Sequence, residues 1–137
     1  MCGIVGSITP NKILSAERKR SALSLLGHRG PDGQGEFQDI SAGVWLGHVR
    51  LSILDLSPAG RQPMSMPDGS LVLTFNGEIY NYASIKKELM QLGRVFQSQS
   101  DTEVVLQAWA EWGKKCLHRL NGMFAFAIWE RATNRIY

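Results

Sequence analysis

Residues 43–54 read GVWLGHVRLSIL, and their character alternates with a period of two. Val44, Leu46, His48, Arg50 and Ser52 fall on one side of an extended chain. Trp45, Val49, Leu51 and Ile53 fall on the other, so the stretch predicts a β-strand. GIVGSI (3–8) predicts a short buried strand, LVLTF (71–75) a second strong strand ending in NGE, and FAFAIWE (124–130) another. RATN then predicts a turn, and RIY (135–137) the first residues of a return strand. Between the strands lie helical patterns. SAERKRSALSLL (15–26) has Ser15 as a cap, Ala22, Leu23 and Leu26 on one face, and Gly27 as a stop. ASIKKELMQL (83–92) aligns Ile85, Leu89 and Leu92 and is closed by Gly93. SDTEVVLQAWAEWG (100–113) repeats Val105, Ala108, Trp109 and Trp112 at helical spacing, and Ser100 with Glu103 makes a capping-box pattern. Segments 27–35 and 57–69, rich in Gly and Pro, predict loops. This order predicts a mixed α/β chain with largely antiparallel sheets and helices stacked outside them.

Composition narrows the function. With 44% hydrophobic and 20% charged residues in 137, the chain is one globular domain at most, with enough residues for a core. The net charge of +3 is mild, and ERKR (17–20), Lys86-Lys87 and Lys114-Lys115 sit on expected helix surfaces, so they predict solvated faces and no nucleic-acid footprint. No apolar run approaches the ~20 residues of a membrane span, and CGIVGSI lacks the basic flank of a signal peptide. Two cysteines make no disulfide framework, and His28, His48 and His118 lie far apart, so no metal-ligand spacing appears. A reducing, cytoplasmic setting fits, and it keeps a reactive thiol usable.

The opening MCGIVG places Cys2 directly behind the initiator. Removal of Met1 would leave a thiol and a free α-amine on one carbon, and an α-amine with a pKa of about 7.7–8.0 can act as base for that thiol. The alternative is a buried cysteine at the head of a strand, and Cys2 alone does not choose. Cys116, beside Leu117 in a helical stretch, reads as core. Arg50, in mid-strand, offers a planar fork for a carboxylate or forms an internal salt bridge. Asn76-Gly77 is a turn signal, or an amide and an N–H that converge as an oxyanion hole. Asp101 caps a helix, receives a substrate ammonium, or does both. GHRGPDG (27–33) has no phosphate-loop pattern and reads as a shaped turn beside a site, with Arg29 and Asp32 lacking an assigned task. A thiol, an oxyanion hole, a carboxylate receptor and an ammonium receptor together fit one substrate, glutamine.

MCGIVG, HRGPDG, HVRLSILDLSPAGRQPM, FNGEIYN and SDTEV stand in the order seen in class II (N-terminal nucleophile) glutamine amidotransferases. Over essentially the whole chain the sequence resembles the glutaminase domain of glutamine-hydrolysing asparagine synthetases. Leu51-Ser52-Ile53 stands where relatives acting on sugar phosphates or phosphoribosyl pyrophosphate have Trp, and NGEIYN favours the same subgroup. The resemblance implies an α+β, four-layer αββα sandwich with Cys2 as nucleophile and Asn76 and Gly77 as the oxyanion hole. It also implies that Arg50 binds the glutamine carboxylate and Asp101 its amine, with Leu51, Ser52, Ile53, Leu54 and Glu78 lining the substrate site. No cofactor is implied for this domain; ATP and Mg belong to a synthetase domain, the expected partner within a longer chain. No SGG pyrophosphate motif occurs here, so residues 1–137 read as an N-terminal glutaminase domain that stops short of the family's last strands. The resemblance also allows a homodimer. A different outcome is a non-catalytic fold relative or fragment that binds glutamine or a partner without turnover, the state expected if Met1 stays attached and masks the amine.

Overall fold

The computed structural model describes residues 2–9, 12, 14–53 and 57–137. The chain runs β1 (Gly3–Ile8), α1 (Ala16–Leu25), β2 (Gly33–Asp39), β3 (Val44–Arg50), β4 (Met64–Ser65), β5 (Leu71–Ile79), α2 (Tyr82–Gln91), α3 (Asp101–Trp112), β6 (Gly122–Glu130) and β7 (Arg135–Ile136). Short 3-10 turns occupy Gly27–Arg29, Pro58–Gly60 and Gly113–His118. One sheet has the order β1-β3-β2, the other β4-β5-β6-β7. Every strand pair is antiparallel.

Three apolar clusters define the layers. Leu23, Trp45 and Val49, with Ala22 and Leu26 beside them, join α1 to the outer face of the first sheet. Val44, Leu46, Val72 and Trp129 fill the space between the sheets. Leu71, Leu73, Phe75 and Ile128 meet Ile85, Leu89, Val105 and Trp109 of α2 and α3 on the far side of the second sheet. The order is therefore helix, sheet, sheet, helices, as the alternation along β3 requires. Its Val44/Leu46 face turns toward the second sheet and its Trp45/Val49 face toward α1. Each fully buried Leu, Val or Phe in these layers contributes roughly 1.5–3 kcal/mol.

The helix caps follow the sequence in outline. Ser15 Oγ accepts from Arg18 N, and Gly93 ends α2 with φ +88. Leu92, expected on the buried stripe of α2, is instead 53% exposed because it follows the helix as its C-terminal cap. Ser100 Oγ accepts from Thr102 N, but Glu103 does not return to Ser100 as a capping box would. Its carboxylate reaches back to Gln97 N, Ser98 N and Ser98 Oγ at 2.9, 2.7 and 2.6 Å, tying down the segment before the helix.

Three departures bear on the site. Residues 33–39 form β2, although a loop is expected through residue 35. Pairing with β3 imposes the strand on a glycine-rich segment. β3 ends at Arg50 and not at residue 54, so Arg50 sits at a strand end and is half-buried. β5 continues through Asn76 and Gly77 to Ile79, pairing Asn76 with Ala125 and Gly77 with Phe124. Asn-Gly is thus strand here and not a turn. A Cβ on Gly77 would lie 2.5 Å from Met123 O and 2.6 Å from Phe124 Cα, so the close approach of β6 requires the glycine.

Candidate active site

The ends of these elements meet in one cleft. Its lining includes Cys2 from the start of β1, Arg50 from the end of β3, Asn76, Gly77 and Glu78 from β5, and Asp101 from the start of α3. Leu51, Ser52 and Ile53 lie along it as well. Leu54, also expected to touch substrate, lies outside the described residues.

The Cys2 thiol rests on the backbone of Leu51. Leu51 N donates to Cys2 Sγ at 3.3 Å, and Sγ lies 3.5 Å from Leu51 O. The Cys2 carbonyl accepts from Arg29 Nε at 2.9 Å. Asp32 Oδ2 accepts from Ser52 N at 2.7 Å, and Asp32 N donates to Arg50 O at 2.9 Å. The glycine-rich turn thus holds both the residue that bears the thiol and the segment it leans on. This work for Arg29 and Asp32 is not legible in sequence, because it depends on partners 18 to 27 residues away.

Arg50 Nη1 donates to Ser57 O at 3.1 Å. Ile53 stands at the rim, 67% exposed, and Gly77 and Glu78 are exposed on the cleft side of β5. Asn76 follows Val72 and Thr74 on the inter-sheet face of β5, which carries it toward the first sheet. Its Oδ1 is buried without a hydrogen-bond partner.

Asp101 is 6% exposed, and its Oδ2 accepts from Ile79 N at 3.0 Å. Burial holds its pKa above the ordinary carboxylate value, with the charge of Glu78 adding to the rise, while backbone N–H groups of Ile79 and Thr102 oppose it. A buried carboxylate of this kind is stabilised by an arriving cation. His48 is fully buried; burial lowers its pKa to about 4 against the hydrogen bond to Phe75 O. Cys116 lies in the core with its thiol pushed up to about 11 by burial, so it is unreactive. Sequence reasoning misses Gln62, Thr102 and Met123, which also line the cleft. RQPM carries Gln62 and SDTEV carries Thr102, but neither motif assigns the residue a task.

Among the described residues no group of three or more His, Cys, Asp or Glu could hold a metal ion, and no helix is long and apolar enough to cross a membrane.

A thiol at one end of the cleft, a guanidinium, and a half-desolvated carboxylate by a helix start make a receptor for a small zwitterion next to a nucleophile. Residues 1–137 match the family model of a glutamine amidotransferase domain, and the chain belongs to that family. It is 37% identical to asparagine synthetase [glutamine-hydrolyzing] 1 of Bacillus subtilis (strain 168), over 100% of this chain and 22% of that protein. It is 39% identical to a putative asparagine synthetase [glutamine-hydrolyzing] of Mycobacterium tuberculosis (strain ATCC 25618 / H37Rv), over 100% of this chain and 23% of that one. Amidase chry2 of Gibberella zeae is 37% identical, covering 99% of this chain and 22% of its own length. The solved glutamine phosphoribosylpyrophosphate amidotransferase from B. subtilis, complexed with ADP and GMP, superimposes with a TM-score of 0.73. That match has 26% identity and covers 95% of this chain and 35% of that one. The layered sandwich is therefore the N-terminal-nucleophile amidotransferase fold. The chain spans less than a quarter of the length of the two asparagine synthetase relatives named above.

Proposed function

We propose that this chain hydrolyses L-glutamine and supplies the ammonia to an asparagine synthetase-type domain of a longer protein. The observation that carries the reading is the convergence of Cys2, Arg50, Asn76, Gly77 and Asp101 on a single cleft. With Met1 removed, the α-amine of Cys2 takes the thiol proton. The thiolate then attacks the side-chain carbonyl carbon of glutamine, and the oxyanion is received by the Asn76 amide and the Gly77 N–H. Collapse breaks the C–N bond, and the protonated amine returns its proton to the leaving nitrogen as ammonia departs. Water hydrolyses the thioester to glutamate and frees the thiol. Arg50 holds the substrate carboxylate, and Asp101 holds its ammonium at the N-terminus of α3. Leu51, Ser52, Ile53, Leu54 and Glu78 shape the channel for the side chain.

The names of the bacterial relatives support aspartate as the acceptor of the ammonia, in a cytoplasmic enzyme whose ATP and Mg chemistry lies in the synthetase domain. The domain is then the N-terminal unit of that protein. The test is glutamine hydrolysis by the full-length protein processed to begin at Cys2, with asparagine formed from aspartate and ATP. Asn76→Ala is expected to lower kcat for hydrolysis by on the order of 10²–10³ with little change in glutamine binding, because the oxyanion exists only after attack. An unchanged kcat removes Asn76 from the oxyanion hole.

A further inference from the structure

β4 pairs with β5 only at Val72 and Leu73. Two residues farther on, at Phe75, side chains take the place of a neighbouring strand. Phe75 N donates to Gln62 Oε1 at 2.6 Å, and His48 Nε2 donates to Phe75 O at 3.1 Å. Phe75 immediately precedes Asn76: its carbonyl lies in the peptide plane the two share, and its N–H lies in the plane before. The Asn76 side chain has no hydrogen bond at Oδ1 to orient it, so its direction depends on where the backbone is held.

Gln62 is itself fixed at several points. Its Nε2 donates to Thr102 Oγ1 at 3.2 Å, which sets which end of the amide faces Phe75. Thr102 follows Asp101 in the first turn of α3. The Gln62 backbone lies against β2 so closely that a Cβ on Gly35 would stand 2.0 Å from Gln62 O. The side chain is buried, and it lines the cleft beside Phe75 and Asn76.

We propose that Gln62 is a positioning residue for the oxyanion strand: its side-chain amide, anchored on Thr102, holds the Phe75 N–H and thereby aims Asn76 at the reacting carbonyl. The proposal rests on the glutaminase reading above. Gln62 touches no reacting atom, and its effect passes through Asn76. Misplacing a catalytic group by about 1 Å can cost on the order of 10² in rate.

The test is a double-mutant cycle on kcat for glutamine hydrolysis in the full-length protein that begins at Cys2. The cycle compares wild type, Gln62→Met, Asn76→Ala and the double variant. Gln62→Met keeps the length and removes both hydrogen bonds. It is expected to lower kcat about 10-fold or more, and to add less than about twofold in the Asn76→Ala background, the limit within which independent effects are resolved. Gln62→Glu keeps an acceptor for the Phe75 N–H, and the Thr102 hydroxyl can rotate to donate to its second oxygen, so this variant is expected to retain kcat within about twofold of wild type. It also decides the matter if Gln62→Met does not fold. Wild-type kcat in Gln62→Met, full additivity in the double variant, or a Gln62→Glu loss as large as the Met loss overturns the proposal. A wild type that does not hydrolyse glutamine overturns the glutaminase reading with it, whereas an active wild type with an additive cycle overturns the positioning role alone.

Discussion

Two cysteines in one chain occupy opposite chemical situations. Cys116 is fully buried, and burial pushes its thiol to about 11, while Cys2 lies in the cleft with the Leu51 N–H on its sulfur. A diazo-ketone analogue of glutamine is therefore expected to label Cys2 and spare Cys116 in the processed full-length protein, as read by peptide mass. Labelling at Cys116 alone ends the nucleophile assignment. Asp101 gives a second test at this scale. Its pKa lies above the ordinary value because it is buried, so the free site keeps a proton to higher pH than an exposed aspartate does. Only the ionised form pairs with a substrate ammonium. The kcat/KM for glutamine is thus expected to rise with pH through the raised Asp101 pKa. Asp101→Asn should remove that limb and raise KM, and a limb unchanged in the variant would assign it to another group. Sequence identified the residues of this cleft by chemical type. It placed Arg29 and Asp32 in a turn beside a site without a task and assigned nothing to Gln62, because their partners include backbone groups on other elements that only the assembled turn and strands bring near.

The elements were legible where apolar periodicity was strong and illegible where partners decide. β3 and α3 declare themselves by alternation and by the Val105/Trp109 stripe. β2 does not, because Gly33, Gln34 and Gly35 have little strand preference and become a strand by pairing with Arg50, Val49 and His48. Asn76-Gly77 looks like a turn locally, yet β6 holds it in the sheet. The inward face of β3 also carries a testable cost. His48 is neutral when folded, with a pKa of about 4, whereas the unfolded side chain titrates near its ordinary 6.5. Between those values the unfolded chain binds more protons than the folded one. His48 therefore contributes nothing to pH dependence above 6.5, and stability falls as pH drops from about 6.5 toward 4, by up to ~3 kcal/mol for this group. Urea midpoints at pH 7 and 4.5 should show that loss. His48→Gln, which can still donate to Phe75 O, should lose less on acidification. Equal losses in both proteins would mean that His48 does not stay neutral in the fold.

At the scale of the molecule, the two sheets bring the start of the chain to the ends of β3 and β5 and the beginning of α3, so Cys2 sits among groups as distant in order as Asp101. With Cys2 as the proposed nucleophile, activity would depend on one processing event. A retained Met1 converts the amine to an amide, which cannot accept the thiol proton, and it adds a side chain where the terminus should be. Cys2 belongs to none of the three buried clusters, so among the described residues the change falls outside the core. Matched preparations of the full-length protein, with and without Met1 by intact mass, are therefore expected to unfold at the same temperature and to use free ammonia equally in the synthetase reaction. They should differ in one respect: the Met1-retaining form should lose glutamine hydrolysis. Normal hydrolysis by that form would exclude the terminal amine as the base. It would leave Cys2 as a strand-head cysteine whose sulfur accepts from the Leu51 N–H.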